Sequence, residues 1–185
     1  MSHNNEIITA RLQDWLSGME HFDLPEWDSI PGLDLYMDQV MILLKQYLAP
    51  LHCGEEEKAI TASIINNYVR MKVMPAPVKK KYSRVHVACL IMICVLKQSL
   101  SISCIQRILP SDYSEENVRR LYDDFVRQYR TVQKIFVHQA QNGELPFCAD
   151  GSTSVLTSCA IISTLSTGLS EFLLREDTEE LHEKN

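Results

Sequence analysis

The sequence predicts a mainly α-helical fold. Apolar residues recur every three or four positions in most segments, which is the spacing of helices that bury one face. Glycine is scarce, with only 6 among 185 residues, and the Asn-Gly and Asp-Gly pairs that mark tight hairpins are few. Hydrophobic residues make up 45% of the chain, which is enough for a core of ordinary size.

The first part of the chain, residues 1–57, is predicted to form helices that pack on a central core. The apolar spacing indicates an amphipathic helix over residues 5–19. After a loop that contains prolines, Asp34 is expected to cap a second helix over residues 35–48.

The central part, residues 58–111, is predicted to hold helices on both sides of a basic loop. Thr61 or Ser63 can cap a short helix, which the prolines from Pro75 onward prevent from continuing. The stretch APVKKKY is then a loop or a small hairpin. Ser83 is expected to cap a buried helix that contains VACLIMICVL, and one more short helix follows.

The third part, residues 112–174, is predicted to contain a long helix and a C-terminal apolar helix. Residues 114–141 carry a heptad pattern, which is typical of a helix packed along another helix. The neighbour is either a second copy of the chain or the protein's own core. Residues 152–170 have no charge and are expected to form a buried helix that packs on the core or on a partner, and the acidic tail 175–185 is expected to be disordered. The heptad positions are Val118, Tyr122, Phe125, Tyr129, Val132 and Phe136.

Charge is unevenly distributed along the chain, whose formal net charge is −6. The window from Lys58 to Ser111 has nine basic residues and no acidic residue, so its charge is +9. The other nine Lys and Arg and all 24 Asp and Glu lie outside it, which leaves −15 there. An ordinary solvated helix face mixes both signs. This separation therefore indicates that the basic part faces a polyanion.

A capped helix, a proline stop and a basic turn follow one another at defined spacings in the central part. Tyr68 lies on the short helix, Pro75 follows seven residues later, and the run KYS ends at Ser83, where the apolar helix begins. This pattern resembles the winged helix-turn-helix domain of MerR-type transcriptional regulators, in which a turn glycine stands at the position of Lys72. The strings LYMDQV, INNYV and KKKYS resemble more closely a family of small bacterial proteins of unknown function.

The resemblance implies a transcriptional regulator that binds double-stranded DNA as a homodimer and responds to an effector of unknown identity. Polar residues of the short helix would enter a groove, and loop lysines would contact phosphates. The alternative is a protein-interaction adaptor whose basic surface binds an acidic protein partner. For Tyr68 and Tyr82, packing in the core is the competing interpretation. The candidate DNA-binding residues are Ser63, Asn66, Asn67, Tyr68, Arg70, Lys72, Lys79, Lys80, Lys81, Tyr82 and Arg84.

The sequence gives little support to other classes of function. It contains no P-loop, no G-x-S-x-G and no H-E-x-x-H motif, and its six histidines lack a ligand spacing. The six cysteines include no C-x-x-C pair and are expected to be reduced thiols. We therefore expect no catalysis, no cofactor and no metal. The absence of a signal-peptide pattern and of a membrane span predicts a cytoplasmic protein.

Overall fold

The computed structural model describes residues 2–51, 60–142 and 159–170, and these are mainly helical, as predicted. No strand occurs among them; isolated antiparallel bridges join Leu35 to Tyr82 and Val78 to Lys81. None of the described helices is long and apolar enough to cross a membrane. Single turns of 3-10 helix lie at Trp27–Ser29 and Ala49–Leu51, and residues 159–170 are helical. The other helices are α1 (Ser2–His21), α2 (Met37–Leu48), α3 (Ala62–Arg70), α4 (Arg84–Leu96), α5 (Ile102–Ile108) and α6 (Glu115–Gln141).

The core is built around α4, which the sequence identified correctly as the central buried helix. Eight consecutive residues, from His86 to Ile93, are buried, which is expected of a helix that is apolar on all sides. Ser83 is the N-cap residue, as predicted, and its backbone N–H donates to Nδ1 of His86 at 3.0 Å. Helix α2 packs against both α4 and α3, so it supports the buried side of the short helix α3.

The prediction that Asp34 caps α2 is wrong. Tyr36 is the N-cap residue, and its backbone N–H donates to Oε1 of Gln39 at 2.9 Å. Leu35 is extended because its backbone N–H and C=O both pair with Tyr82, each at 2.8 Å. Two backbone hydrogen bonds to a residue far along the chain fix the extended conformation at Leu35, so the helix begins after it.

The chain divides into two compact units, one of which is continuous in sequence and spans Leu24–Tyr129. It contains helices α2 to α5 and the first half of α6, and its fully buried side chains include those of Trp27, Leu44 and Ile65. The division predicted from the sequence, into residues 1–57, 58–111, 112–174 and 175–185, stays a prediction.

The other unit combines Met1–Asp23 with Arg130–Asn185. Within it, Leu16 and Met19 of α1 are buried, as are Val137 and Ala140 of α6. Polar contacts join α6 to the two residues that follow α1: Arg130 pairs with Asp23 at 2.7 Å, and Nε2 of Gln133 donates to the carbonyl oxygen of Phe22 at 2.7 Å. The edge of the Trp15 ring contacts Phe136, with ring centroids 6.2 Å apart.

The buried stripe of α6 follows the predicted heptad seam only at the first two positions of that seam. Val118 and Tyr122 are fully buried, but the stripe continues through Val126, Val137 and Ala140. Val132, a predicted seam position, is 65% exposed. The first steps are of four residues rather than alternating three and four, so the buried positions depart from a strict heptad.

The C-terminal apolar helix is exposed where the structure describes it, so its predicted packing on the core is not observed, and the alternative of packing on a partner stays a prediction. Ile161, Leu165 and Leu169 have 53%, 67% and 59% of their surface exposed. Hydroxyl groups bond back to the helix, as in the 2.8 Å hydrogen bond from Oγ1 of Thr164 to the carbonyl oxygen of Ala160. The helix therefore satisfies these hydroxyl groups by itself. The remaining predicted positions, 152–158, and the tail 175–185 lie outside the described residues.

Candidate nucleic-acid interface

Helix α3 separates an apolar face from a polar one. Thr61 caps it by accepting a hydrogen bond from the backbone N–H of Ile64 at 3.3 Å. Ile65 and Tyr68 point into the core with 0% and 8% of their surface exposed. The opposite face borders an open groove of about 390 Å³. The residues that line this groove are Ser63, Ile64, Asn66, Asn67 and Arg70.

The C-terminal end of α3 places Lys72 in a left-handed backbone conformation, with φ of 57°. The N–H of Lys72 bonds to the carbonyl of Val69, and the N–H of Val73 bonds to that of Tyr68, both at 3.0 Å. This is the Schellman arrangement, in which glycine is the preferred residue. Two side chains support this end from outside: Gln106 donates to the Met71 carbonyl at 3.3 Å and Tyr113 to that of Val73 at 2.7 Å.

The predicted basic loop is a two-residue hairpin turn. The backbone groups of Val78 and Lys81 pair in both directions, at 3.2 and 2.9 Å. The two residues between them, Lys79 and Lys80, have φ of 50° and 63°. Left-handed backbone at both central positions is the mark of a type I′ turn, which favours Asn-Gly. A residue other than Gly, Asn or Asp is disfavoured there by roughly 1–2 kcal/mol.

Left-handed backbone and positive charge coincide in this protein. Among the described residues other than glycine, Lys72, Lys79 and Lys80 are the ones with positive φ. All three side chains are exposed. Because Gly or Asn would adopt these conformations at lower energy, the chain keeps cations at positions where they are conformationally unfavourable. Strain of this kind tends to occur at functional sites.

The lysine turn is anchored to the core on its C-terminal side. Tyr82, which is 3% exposed, pairs with Leu35 as described above, and its ring edge contacts His86 with centroids 5.6 Å apart. The Lys81 ammonium lies 5.6 Å from the centre of the Tyr36 ring, a cation–π contact. The turn is thus held on a rigid base, and Lys79 and Lys80 project from its tip.

Most cations of the acid-free window have no carboxylate partner. Arg84 is the exception: it pairs with Asp28 at 3.4 Å and lies over the Trp27 ring at 5.8 Å. Arg119, outside the window, shares the same Asp28 at 3.0 Å. Within the described part of the chain, no ion pair with Asp or Glu is formed by Arg70, Lys72, Lys79, Lys80, Lys81, Lys97 or Arg107.

The structure sorts the predicted site residues into three groups. Ser63, Asn66, Asn67 and Arg70 share the polar face of α3, with Lys72 at its end. Lys79 and Lys80 form the exposed turn, and Lys81 is half-buried beside it. Tyr68 and Tyr82 are buried packing residues, and Arg84 is engaged by Asp28 and Trp27.

Sequence reasoning missed the residues that support this surface. Gln106 and Tyr113 hold the end of α3 from 35 and 40 residues away along the chain. Asp28 holds Arg84 from 56 residues away. A lone Gln, Tyr or Asp in a loop or short helix has no distinguishing local pattern, so no sequence signal pointed to them.

Buried thiols lie near this surface but offer no reactive group. Burial raises the pKa of Cys89 and of Cys94 to about 12, so both thiols are protonated at neutral pH. Within residues 2–51, 60–142 and 159–170, no three His, Cys, Asp or Glu residues are grouped closely enough to hold a metal ion.

These features define a small helical domain with an exposed polar helix and a strained basic turn. Residues 25–125 match the family model described as "Domain of unknown function (DUF1836)", and the chain belongs to that family. The matched residues nearly coincide with the compact unit Leu24–Tyr129. No curated protein and no solved structure matches the chain.

Proposed function

We propose that this protein is a transcriptional regulator that binds double-stranded DNA through α3 and the lysine turn. The observation that carries the proposal is the set of exposed cations at the end of the polar helix α3 and in the turn that follows it, which have no carboxylate partner among the described residues. Such cations displace counterions from phosphates, a sequence-independent source of affinity. Helix α3 supplies short polar side chains of the kind that read base edges in the major groove.

The finer part of the proposal is a MerR-like arrangement with a reduced wing. Helix α3 takes the role of the recognition helix, and the type I′ turn at Lys79 and Lys80 takes the role of the wing that grips the backbone. Helix α6 serves as the dimer helix. Its exposed Val132 and Ile135, which are 65% and 53% exposed, support this role because they lie outside the buried stripe.

The experiment that tests DNA binding exploits the turn geometry. The double variant Lys79→Asn/Lys80→Gly removes two charges but supplies the residues that a type I′ turn prefers, so the fold is retained. A variant with the same loss of charge elsewhere, Arg11→Gln/Lys45→Gln, is the matched control, since both residues are exposed on other helices. Binding to random-sequence duplexes is measured at several salt concentrations.

The turn variant is expected to bind all sequences more weakly than wild type. Its log–log salt slope should be flatter by about 0.9 for each phosphate that it no longer neutralises. The control variant should keep the wild-type slope. No binding by wild type, or the same slope for the turn variant and the control, would overturn the proposal.

A second candidate function, that of a protein-interaction adaptor, is favoured by one observation. Ile161, Leu165 and Leu169 form an exposed apolar stripe with four-residue spacing, which is the form of a docking face. The adaptor would use the same cations for an acidic protein partner. Selection from random DNA separates the two functions, because only a sequence-specific regulator enriches a motif.

A further inference from the structure

The polar residues on α3 are not equivalent, because Asn67 is already engaged within the helix. Its Oδ1 accepts a hydrogen bond from Nη2 of Arg70 at 2.6 Å. Its Nδ2 donates to the thioether sulfur of Met71 at 3.4 Å. An Asn reads adenine by using its carbonyl oxygen and its NH₂ group together, on N6 and N7 of the base. Because each group already makes one hydrogen bond within the helix, Asn67 would have to share or break these contacts to read adenine, which disfavours it as a reader.

Asn66 has the opposite status. Its side chain is exposed on the groove, and it makes no side-chain hydrogen bond to any described residue. Among the described residues nothing occupies its donor or its acceptor, which leaves both available to a base edge. Asn66 also precedes Arg70 by four positions, so the two side chains are neighbours on one helix face, with Cβ atoms about 5–6 Å apart.

Arg70 is pre-oriented by Asn67. The short hydrogen bond fixes one terminal nitrogen of the guanidinium, while the side chain stays exposed on the groove and faces no carboxylate among the described residues. Free arginine side chains have many rotamers, and ordering them on binding costs affinity. A guanidinium held in place retains free N–H donors for the bidentate contact to O6 and N7 of guanine.

We infer that α3 reads an adenine through Asn66 and a guanine through Arg70, with Asn67 acting as a positioning residue and not as a reader. This inference rests on the proposed function and specifies its target. Base pairs rise by about 3.4 Å, so side chains about 5–6 Å apart reach bases within two base-pair steps of each other. The recognised half-site therefore contains A and G at adjacent or next-adjacent positions.

The test uses random-sequence selection with wild type, followed by affinities for the enriched duplex and its single-base variants. Arg70→Lys keeps the charge but removes the bidentate fork. It should lower discrimination at one guanine by roughly 5- to 150-fold, the range of one bidentate contact, with non-specific affinity retained. Asn66→Ala should lower discrimination by a similar factor at one adenine and leave the guanine unchanged.

Two substitutions of Asn67 separate positioning from readout. Asn67→Ala releases Arg70 and should weaken discrimination at the Arg70 guanine by a few-fold, with no third base affected. Asn67→Asp keeps an acceptor for Arg70, so it should retain the guanine discrimination even though the added negative charge lowers overall affinity. All variants are first compared with wild type by thermal unfolding, and their positions on the solvent side of α3 predict an unchanged fold.

Three further outcomes would overturn either the inference about α3 or the proposed function. An enriched motif whose bases are insensitive to Asn66→Ala and Arg70→Lys overturns the inference and leaves DNA binding intact. Loss of preference at a third base in Asn67→Ala makes Asn67 a reader and overturns its positioning role. No enriched motif with wild type overturns the proposed function itself, and with it the inference.

Discussion

Nε2 of His86 lies 3.3 Å from the carbonyl oxygen of Ala76, and this contact ties the start of α4 to the segment that leads into the lysine turn. Because Nδ1 of the same ring accepts the backbone N–H of Ser83, the proton of the neutral ring is on Nε2, which donates to Ala76. One buried imidazole thus joins the cap of the central helix to the base of the candidate interface.

Stability is expected to depend on the protonation of His86. Burial lowers its pKa, and the Ala76 carbonyl and the Asp34 charge oppose this only in part. The folded ring therefore binds a proton less readily than the unfolded one. The contribution of the neutral His86 to the free energy of unfolding is therefore constant above about pH 6.5. Stability is lost as the pH falls below that value, by at most about 1.4 kcal/mol per pH unit.

The measurement for His86 is the free energy of unfolding by denaturant from pH 8 to pH 5, for wild type and for His86→Gln. Gln can still donate to Ala76 but does not titrate. The difference between the two proteins should shrink as the pH falls. A difference that does not change with pH would contradict the assigned protonation.

Relief of backbone strain is expected when the lysine turn is replaced by Asn-Gly. Lys79→Asn/Lys80→Gly should raise the free energy of unfolding by about 1–2 kcal/mol, because Asn and Gly adopt positive φ with little penalty. Lys79→Ala/Lys80→Ala removes the same charges but keeps the unfavourable conformation, so it should give no such gain. Denaturant titration of wild type and the two double variants measures these differences. Equal stability of the two variants would argue against the left-handed turn.

Glycine at position 32 is expected to be required by Arg84. A Cβ added to Gly32 would lie 2.9 Å from Nη2 of Arg84, whose other terminal nitrogen, Nη1, pairs with Asp28. Gly32→Ala should therefore displace the guanidinium and destabilise the protein by about 1 kcal/mol. Gly18→Ala is the control, because nothing lies within 4 Å of its added Cβ and it is within α1. It should stabilise by about 0.5–1 kcal/mol, and thermal unfolding distinguishes the opposite signs.

The two sides of α6 should respond differently to truncation. Val126 is 2% exposed, so Val126→Ala should cost about 2 kcal/mol of stability through reduced burial and a cavity. Val132 is 65% exposed, so Val132→Ala should leave the stability of the monomer nearly unchanged. If α6 is the dimer helix, Val132→Ala should instead weaken self-association, which sedimentation velocity over a range of concentrations measures.

Local patterns predicted most of the helices, and non-local contacts explain where they failed. The caps at Thr61 and Ser83 and the buried α4 follow from residues close in sequence. The start of α2 did not, because Leu35 is fixed by a bridge to Tyr82 from another part of the chain. For residues 159–170 the sequence left packing on the core and packing on a partner open, since an uncharged sequence does not reveal what covers it.

The candidate site was predictable in outline but not in its internal arrangement. The helical period alone placed Asn66 and Arg70 on the solvent side of α3, opposite Ile65. It gave no indication that Asn67 accepts a hydrogen bond from Arg70, because that contact depends on side-chain rotamers. Nor did it indicate that consecutive lysines adopt left-handed backbone, which tertiary anchoring of the turn imposes against local preference.

At the lysines with positive φ, backbone stability and positive charge favour different residues. At Lys72, Lys79 and Lys80, the substitutions that most improve the backbone, to Gly or Asn, are the ones that remove positive charge. A laboratory selection for thermal resistance alone would therefore drift toward an uncharged turn and an uncharged helix end. A library sorted for both heat resistance and retained activity would keep lysine at these sites only where activity depends on it.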